Sequence, residues 1–247
     1  MNRAFLWRAL AAVVAVAALS AVSASSALAA VIAPGTPCAR YIPGLAGERW
    51  VPVSGSGFTP NTDPTLSSVQ LNYPDGSLGG YTPLAADGSF STGVFMPTEF
   101  INSSSGRTKT YTLTATDPIT PGLVASTNIT FVRVGAAIKP ARVRRNLGRK
   151  VRWSAWGVPT GAKLYLHWTF KGRRYAVRKL GTAKGACGIA HKKLPFLPVA
   201  ARTGTWKVYY TAGKKLRRKK AFFRMDLSVF RTFSSSAATV SAARVVR

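Results

Sequence analysis

The chain has 247 residues, with 35 Lys and Arg against seven Asp and Glu, a formal net charge of +28. The charge is uneven: residues 136–247 hold 28 of the cations and one acid, Asp226, for a net +27, whereas residues 31–135 hold five cations and six acids, for −1. One carboxylate cannot neutralise 28 cations, so the composition excludes a self-compensated second half; its charge is solvated, repels itself or meets anions of another molecule.

Residues 1–30 read as a secretory signal peptide. Arg3 and Arg8 give a positive start, Ala9 to Val22 is an apolar run, and Ala27-Leu28-Ala29 supplies small residues at a peptidase site. The run falls short of the roughly 20 residues that span a bilayer, so cleavage is expected, with a retained anchor as the alternative. Cys38 follows Thr36-Pro37, which does not suit lipid attachment. A secreted or extracellular protein, associated with the cell envelope, is the expected setting.

About 217 residues then remain, enough for two small domains. Over 31–135, Val69, Leu71 and Tyr73 alternate with Ser68, Gln70 and Asn72, and Tyr111, Leu113 and Ala115 alternate with threonines. Period two marks half-buried strands. Further strands are predicted at Trp50 to Ser54, Gly80 to Leu84, Ser89 to Phe95 and Thr127 to Val134, with turns at Pro74-Asp75-Gly76 and Ala86-Asp87-Gly88. No stretch shows a helical period. Short strands at this spacing favour an antiparallel sandwich.

Over 136–233 the scheme repeats. Val151, Trp153 and Ala155, then Leu164, Leu166, Trp168 and Phe170, then Trp206, Val208 and Tyr210 alternate with polar residues, and Ala221 to Val229 forms a final long strand. Gly57-Phe58 aligns with Gly157-Val158, Pro97 with Pro195, and Lys109 to Asp117 with Gly204 to Gly213, which predicts two similar units in tandem. Residues 234–247, small, polar and basic, read as a disordered tail.

The segments "VSGSGFTPN", "AADGSFSTGVFMP" and "TYTLTATD" resemble the bacterial immunoglobulin-like modules of secreted and surface proteins from high-GC Gram-positive bacteria. The segments "GTAKGACGIAHKKLPF" and "GTWKVYYTAGKK" are similar to a second module that often accompanies them. The resemblance implies an all-β chain of two tandem antiparallel immunoglobulin-like β-sandwich domains and an extracellular setting; it brings no catalytic residues and does not account for the basic charge.

Five basic clusters are the candidate site. They are Arg142, Arg144 and Arg145; Arg149, Lys150 and Arg152; Lys171, Arg173 and Arg174, at an expected hairpin tip; Lys192 and Lys193; and Lys214, Lys215, Arg217, Arg218, Lys219 and Lys220 at the expected connection between the last two strands. Lys supplies point charge and Arg a bidentate fork, which together suit phosphate or sulfate groups. The expected partners are anionic cell-envelope polymers or an anionic membrane surface. Nucleic acid is a further alternative, with Tyr165, Tyr209 and Phe222 as outer-face aromatics for base stacking, though a secretory leader disfavours it. A surface adhesion or ligand-binding protein using loops of the first domain is the other alternative.

No catalytic constellation assembles. His167 is expected on the outer face of a strand and His191 beside Lys192, and Asp226, with Arg224 and Ser228 as same-face neighbours, is the one carboxylate of that half, best explained by a cross-strand ion pair. Asp75 and Asp87 precede Gly, and Asp63 and Asp117 precede Pro, positions where carboxylates cap turns. No enzyme activity, cofactor, metal or small-molecule substrate is expected. Cys38 and Cys187 lie 149 residues apart, one in each half, and two readings stand: a disulfide across the domain boundary, or two separate thiols.

Overall fold

A computed structural model describes residues 29–42, 50–60, 68–102, 107–232 and 235–246. The expected signal peptide, residues 29 and 30 apart, lies outside them.

The first unit is built from β1 (Val31–Pro34), β2 (Ala39–Tyr41), β3 (Trp50–Ser56), β4 (Ser68–Asn72), β5 (Leu78–Pro83), β6 (Phe90–Phe95), β7 (Thr108–Thr116) and β8 (Val124–Arg133). One sheet has the order β1-β3-β6 and the other β2-β8-β7-β4-β5. All pairs are antiparallel except β2 with β8. The alternation is strict where the sequence predicts it: in β3, Val51 and Val53 point inward while Trp50 and Pro52 point outward. Inward residues of both sheets share one core, including Val53, Leu71, Val94, Leu113 and Phe131.

A short helix, α1 (Thr98–Asn102), departs from the expectation of no helix. Five residues are too few to show a 3.6-residue period. The helix buries Phe100 against Tyr41, Tyr111 and Phe131. Arg133 Nη2 donates to the carbonyls of Phe100 and Ile101 at 2.8 and 3.1 Å, satisfying acceptors that so short a helix leaves without partners.

The second unit repeats the plan with β9 (Gly135–Lys139), β10 (Arg142–Arg144), β11 (Lys150–Trp156), β12 (Lys163–Phe170), β13 (Arg173–Thr182), β14 (Ala190–Pro195), β15 (Gly204–Thr211), β16 (Phe223–Thr232) and β17 (Ser235–Val245). Its sheets are β14-β11-β9 and β10-β17-β16-β15-β12-β13. Trp153, Trp168 and Trp206 are fully buried in its core, and each indole N–H reaches a carbonyl, of Pro195, Phe196 and Arg202 respectively. Large rings are thereby buried without an unpaired donor.

The two units match position by position. Gly88, at φ +75°, lies so close to Phe58 that a Cβ would meet its carbonyl oxygen at 2.0 Å; Gly188, at φ +56°, stands in the same relation to Val158, at 1.7 Å. Both turns require glycine twice over, for the backbone angle and for the approach. The chain is thus all-β, two tandem immunoglobulin-like sandwiches of antiparallel sheets.

One difference corrects the sequence reading. Residues 235–245, expected as disordered tail, form β17, antiparallel to β16 on one side and to β10 on the other. In the first sandwich β2 pairs directly with β8; in the second, β17 is inserted between their counterparts. A strand with partners on both edges satisfies its backbone by ladder bonds and needs no large apolar face. Ala237 and Ala238 are buried, and Val240 and Val245 pack against the core.

The sandwiches are joined covalently. Cys38 and Cys187 form a disulfide, with Cα atoms 5.2 Å apart. Around it, Val132 and Trp156 are buried, the Arg107 guanidinium sits 4.2 Å from the Trp156 ring, and Gly157 N–H donates to the Cys187 carbonyl.

Candidate functional site

The outer face of the six-stranded sheet gathers two basic clusters that lie some 40 residues apart in sequence. Lys171 and Gly172 turn the chain between β12 and β13. Both have positive φ, +45° and +78°, the two-residue hairpin geometry in which Asn-Gly is usual and Lys costs on the order of 1 kcal/mol. After β15 the cations of residues 214–220 are exposed, but the loop is held to the sheet at Gly213, by His167, and at Arg218, through the Gly172 carbonyl. Residues 212–222 fold back across the sheet, with a 3-10 turn at Arg218–Lys220. Arg174 Nη1 donates to the Lys214 carbonyl at 3.3 Å and Arg218 Nη2 to the Gly172 carbonyl. The hairpin tip and the basic loop are therefore tied to each other.

The folded-back loop alters two expectations. His167 does lie on the outward side of β12 but is fully buried. Its Nε2 is 2.8 Å from Thr211 Oγ1 and 3.0 Å from the Gly213 carbonyl. A carbonyl only accepts, so Nε2 carries a proton, and the charge of the ring is set by its burial. Burial pushes the His167 pKa below the ordinary histidine value; the Gly213 carbonyl opposes this and the Arg174 charge adds to it. Tyr209, expected as an exposed stacking residue, is buried as well, while Tyr165 and Phe222 are half-buried.

The outer face of the three-stranded sheet carries a second basic array. In register across β14, β11 and β9 stand Lys193, Arg152 and Lys139, all exposed. Directly opposed like charges destabilise a sheet by roughly 0.2–1 kcal/mol each. Lys150 lies on the same face of β11, Lys192 is exposed on β14, and Arg142, Arg144, Arg145 and Arg149 are exposed on and after β10. Lys139, Lys150, Arg152 and Lys193 face away from the tied loop and hairpin, whereas Arg142 and Arg144 share the six-stranded sheet with them, at its β10 edge, with Val143 turned inward between them.

Asp226 lies within an ion pair, its Oδ1 3.3 Å from Arg224 Nε on the same strand, with Lys207 opposite in register. Among the described residues, no three or more His, Cys, Asp or Glu come together to hold a metal ion, and no helix is long and apolar enough to cross a membrane.

No protein-family model and no curated protein matches the sequence. Among solved structures the chain is similar to a tetra-tandem repeat from the extending region of a large adhesion protein, at 15% identity and TM-score 0.25, over 88% of this chain and 48% of that one. It is also similar to the human OSCAR ligand-binding domain, at 13% identity and TM-score 0.32, over 88% and 97%. A three-domain titin fragment follows at 10% identity and TM-score 0.25, over 72% and 60%. The chain thus spans about half the length of the adhesion-protein structure. Superpositions this loose leave the architecture to be read from strand order and register, and what those proteins bind has no bearing on this chain.

Sequence reasoning missed Lys207 and Lys139 as members of the basic faces. Each lies outside the clusters read from the sequence, and register places it beside them. For Lys207 the signal was present in the alternation of β15, where it takes an outward position.

Proposed function

We propose that the chain is a secreted, non-enzymatic protein whose second sandwich holds it to anionic polymers of a cell envelope, with the near-neutral first sandwich as a spacer or contact module. The observation that carries this reading is the tie between the Lys171–Arg174 hairpin and the Lys214–Lys220 loop, which concentrates cations on one face that a single carboxylate, Asp226, cannot compensate. The disulfide between the sandwiches suits an oxidising compartment. Burial of Tyr209 removes one stacking residue from the nucleic-acid alternative.

A salt titration of the full chain on isolated envelope, with anionic vesicles and nucleic acid in parallel, tests the reading. Binding should be strong at low ionic strength and fall steeply as salt rises. Replacing Lys214, Lys215, Arg217, Arg218, Lys219 and Lys220 by Ser should flatten the logarithmic salt slope by roughly four to five, at ~0.7–0.9 per lost phosphate contact. Unchanged retention by that variant would transfer attention to the first sandwich. One observation favours a ligand there: Trp50 and Phe95 are about half-exposed and stack with ring centroids 3.6 Å apart on the outer face of the three-stranded sheet.

A further inference from the structure

Between the folded-back loop and the sheet lies a cleft of about 240 Å³, lined by Thr169, Lys171, Gly172, Thr205, Lys207, Tyr209 and Arg218. Three of these are cations, three carry hydroxyls, and no carboxylate lines the cleft. The elements that supply them come from three places in the chain. Thr169 ends the outward row of β12, Thr205, Lys207 and Tyr209 form that of β15, and Arg218 arrives from the loop.

The geometry points to this cleft as a subsite for a single tetrahedral oxyanion, a phosphate or sulfate group carried on a larger molecule. This deepens the polyanion reading and rests on it, since the rest of the polymer would lie along the surrounding basic face. Its volume is about that of eight liquid waters at ~30 Å³ each, ample for one such group with part of its backbone. The chemistry fits. Arg218 supplies a planar donor fork whose position is fixed by the bond from Nη2 to the Gly172 carbonyl, leaving its other N–H groups for a ligand. Thr205 and Tyr209 add neutral donors, and Lys171 and Lys207 add point charge. Donors held before the ligand arrives lose little freedom on binding. The left-handed backbone at Lys171 costs stability yet places this cation at the cleft, where Asn would make the turn at lower cost.

The source of the oxyanion is tested with inorganic phosphate, polyphosphate, dextran sulfate and phosphatidylglycerol vesicles, with polyglutamate as a carboxylate polymer of similar charge. The full chain is compared with Lys171→Asn/Lys207→Gln, with Arg40→Gln/Lys184→Gln, which removes the same charge at exposed positions outside the basic clusters, and with Arg218→Lys, which keeps the charge and loses the fork. Matching thermal midpoints establish that the variants are folded. The expected result is saturable binding of inorganic phosphate that falls about tenfold in the cleft double variant and severalfold in Arg218→Lys, but less than twofold in the Arg40/Lys184 variant. Tighter binding of one polymer or of the vesicles then identifies the source. Equal losses in the two double variants, or polyglutamate bound as tightly as polyphosphate, would overturn the subsite while leaving the polyanion reading intact. Inorganic phosphate bound at the cleft with no polymer or vesicle retained would overturn the polyanion reading and leave the cleft as a site for the free oxyanion alone.

Discussion

Two buried polar side chains govern connections in this molecule, and protonating either one lowers stability, in different pH windows. The Asp117 carboxylate is buried and accepts from the N–H groups of Thr59, Ile119 and Thr120 at 2.6–2.8 Å. Burial pushes its pKa up, but the N–H bonds from Thr59, Thr120 and Ile119 outweigh it and the value lies below the ordinary aspartate range. Its contribution is therefore complete above the unfolded pKa of about 3.9 and is lost as pH falls through the lower folded value. Asp117→Ala should cost about 3 kcal/mol by leaving those donors unpaired, and Asp117→Asn should flatten the acid limb of a stability profile below about pH 4. Denaturant unfolding at a series of pH values measures both. His167 acts in the same direction at higher pH. Its folded pKa lies below the unfolded value of about 6.5, so the neutral ring stabilises fully above that pH and the contribution declines as pH falls beneath it. Acidification from pH 7 to 5 should lower the midpoint of the second sandwich and loosen the basic loop, seen as faster amide exchange at Gly213 and Lys214. In His167→Gln that part of the pH dependence should vanish.

At the level of elements, β17 is the strand whose removal is most informative. A chain ending at Thr232 leaves β16 and β10 with open edges and β10 without its partner. The expected outcome is a lowered thermal midpoint and concentration-dependent self-association in size-exclusion chromatography, because unpaired edges template pairing with another chain. An unaltered midpoint and a monomeric profile would mean that β17 is dispensable. The sequence made much of the rest legible. Wherever large apolar residues alternate, as in β3, β7, β12 and β15, the strand is found within a residue or two of its expected place, since period two is imposed by a buried face on one side. Strands fixed by their neighbours were opaque. β17 is Ser- and Ala-rich, and β13 carries cations on an edge, so their conformation comes from ladder bonds that no local pattern announces. The basic clusters were plain as composition. The tie between hairpin and loop was not, because it runs through side-chain bonds to the carbonyls of Lys214 and Gly172, and carbonyls look alike at every position of a sequence.

Across the whole molecule, the two sandwiches share a framework and differ in surface. Gly57 and Gly157, Phe58 and Val158, Gly88 and Gly188 occupy matching positions 100 residues apart, yet one unit is near neutral and the other holds almost all the charge. Core geometry and surface charge are separable in a sandwich, since inward and outward residues alternate along every strand. The Cys38–Cys187 bond makes the pair one covalent loop. Under tension that loop acts as a bypass. A load applied at the two ends of the chain passes from Cys38 directly to Cys187, a sequence separation of 149, so the residues between them, with most of the first sandwich and the early strands of the second, are spared it. Single-molecule stretching should release roughly 500 Å less extension from the oxidised chain than from a Cys38→Ser/Cys187→Ser chain, at ~3.5 Å per residue. A chain of this build yields first in β1 and in β14 to β17, the strands outside the bond, while β2 to β13 lie within the covalent loop.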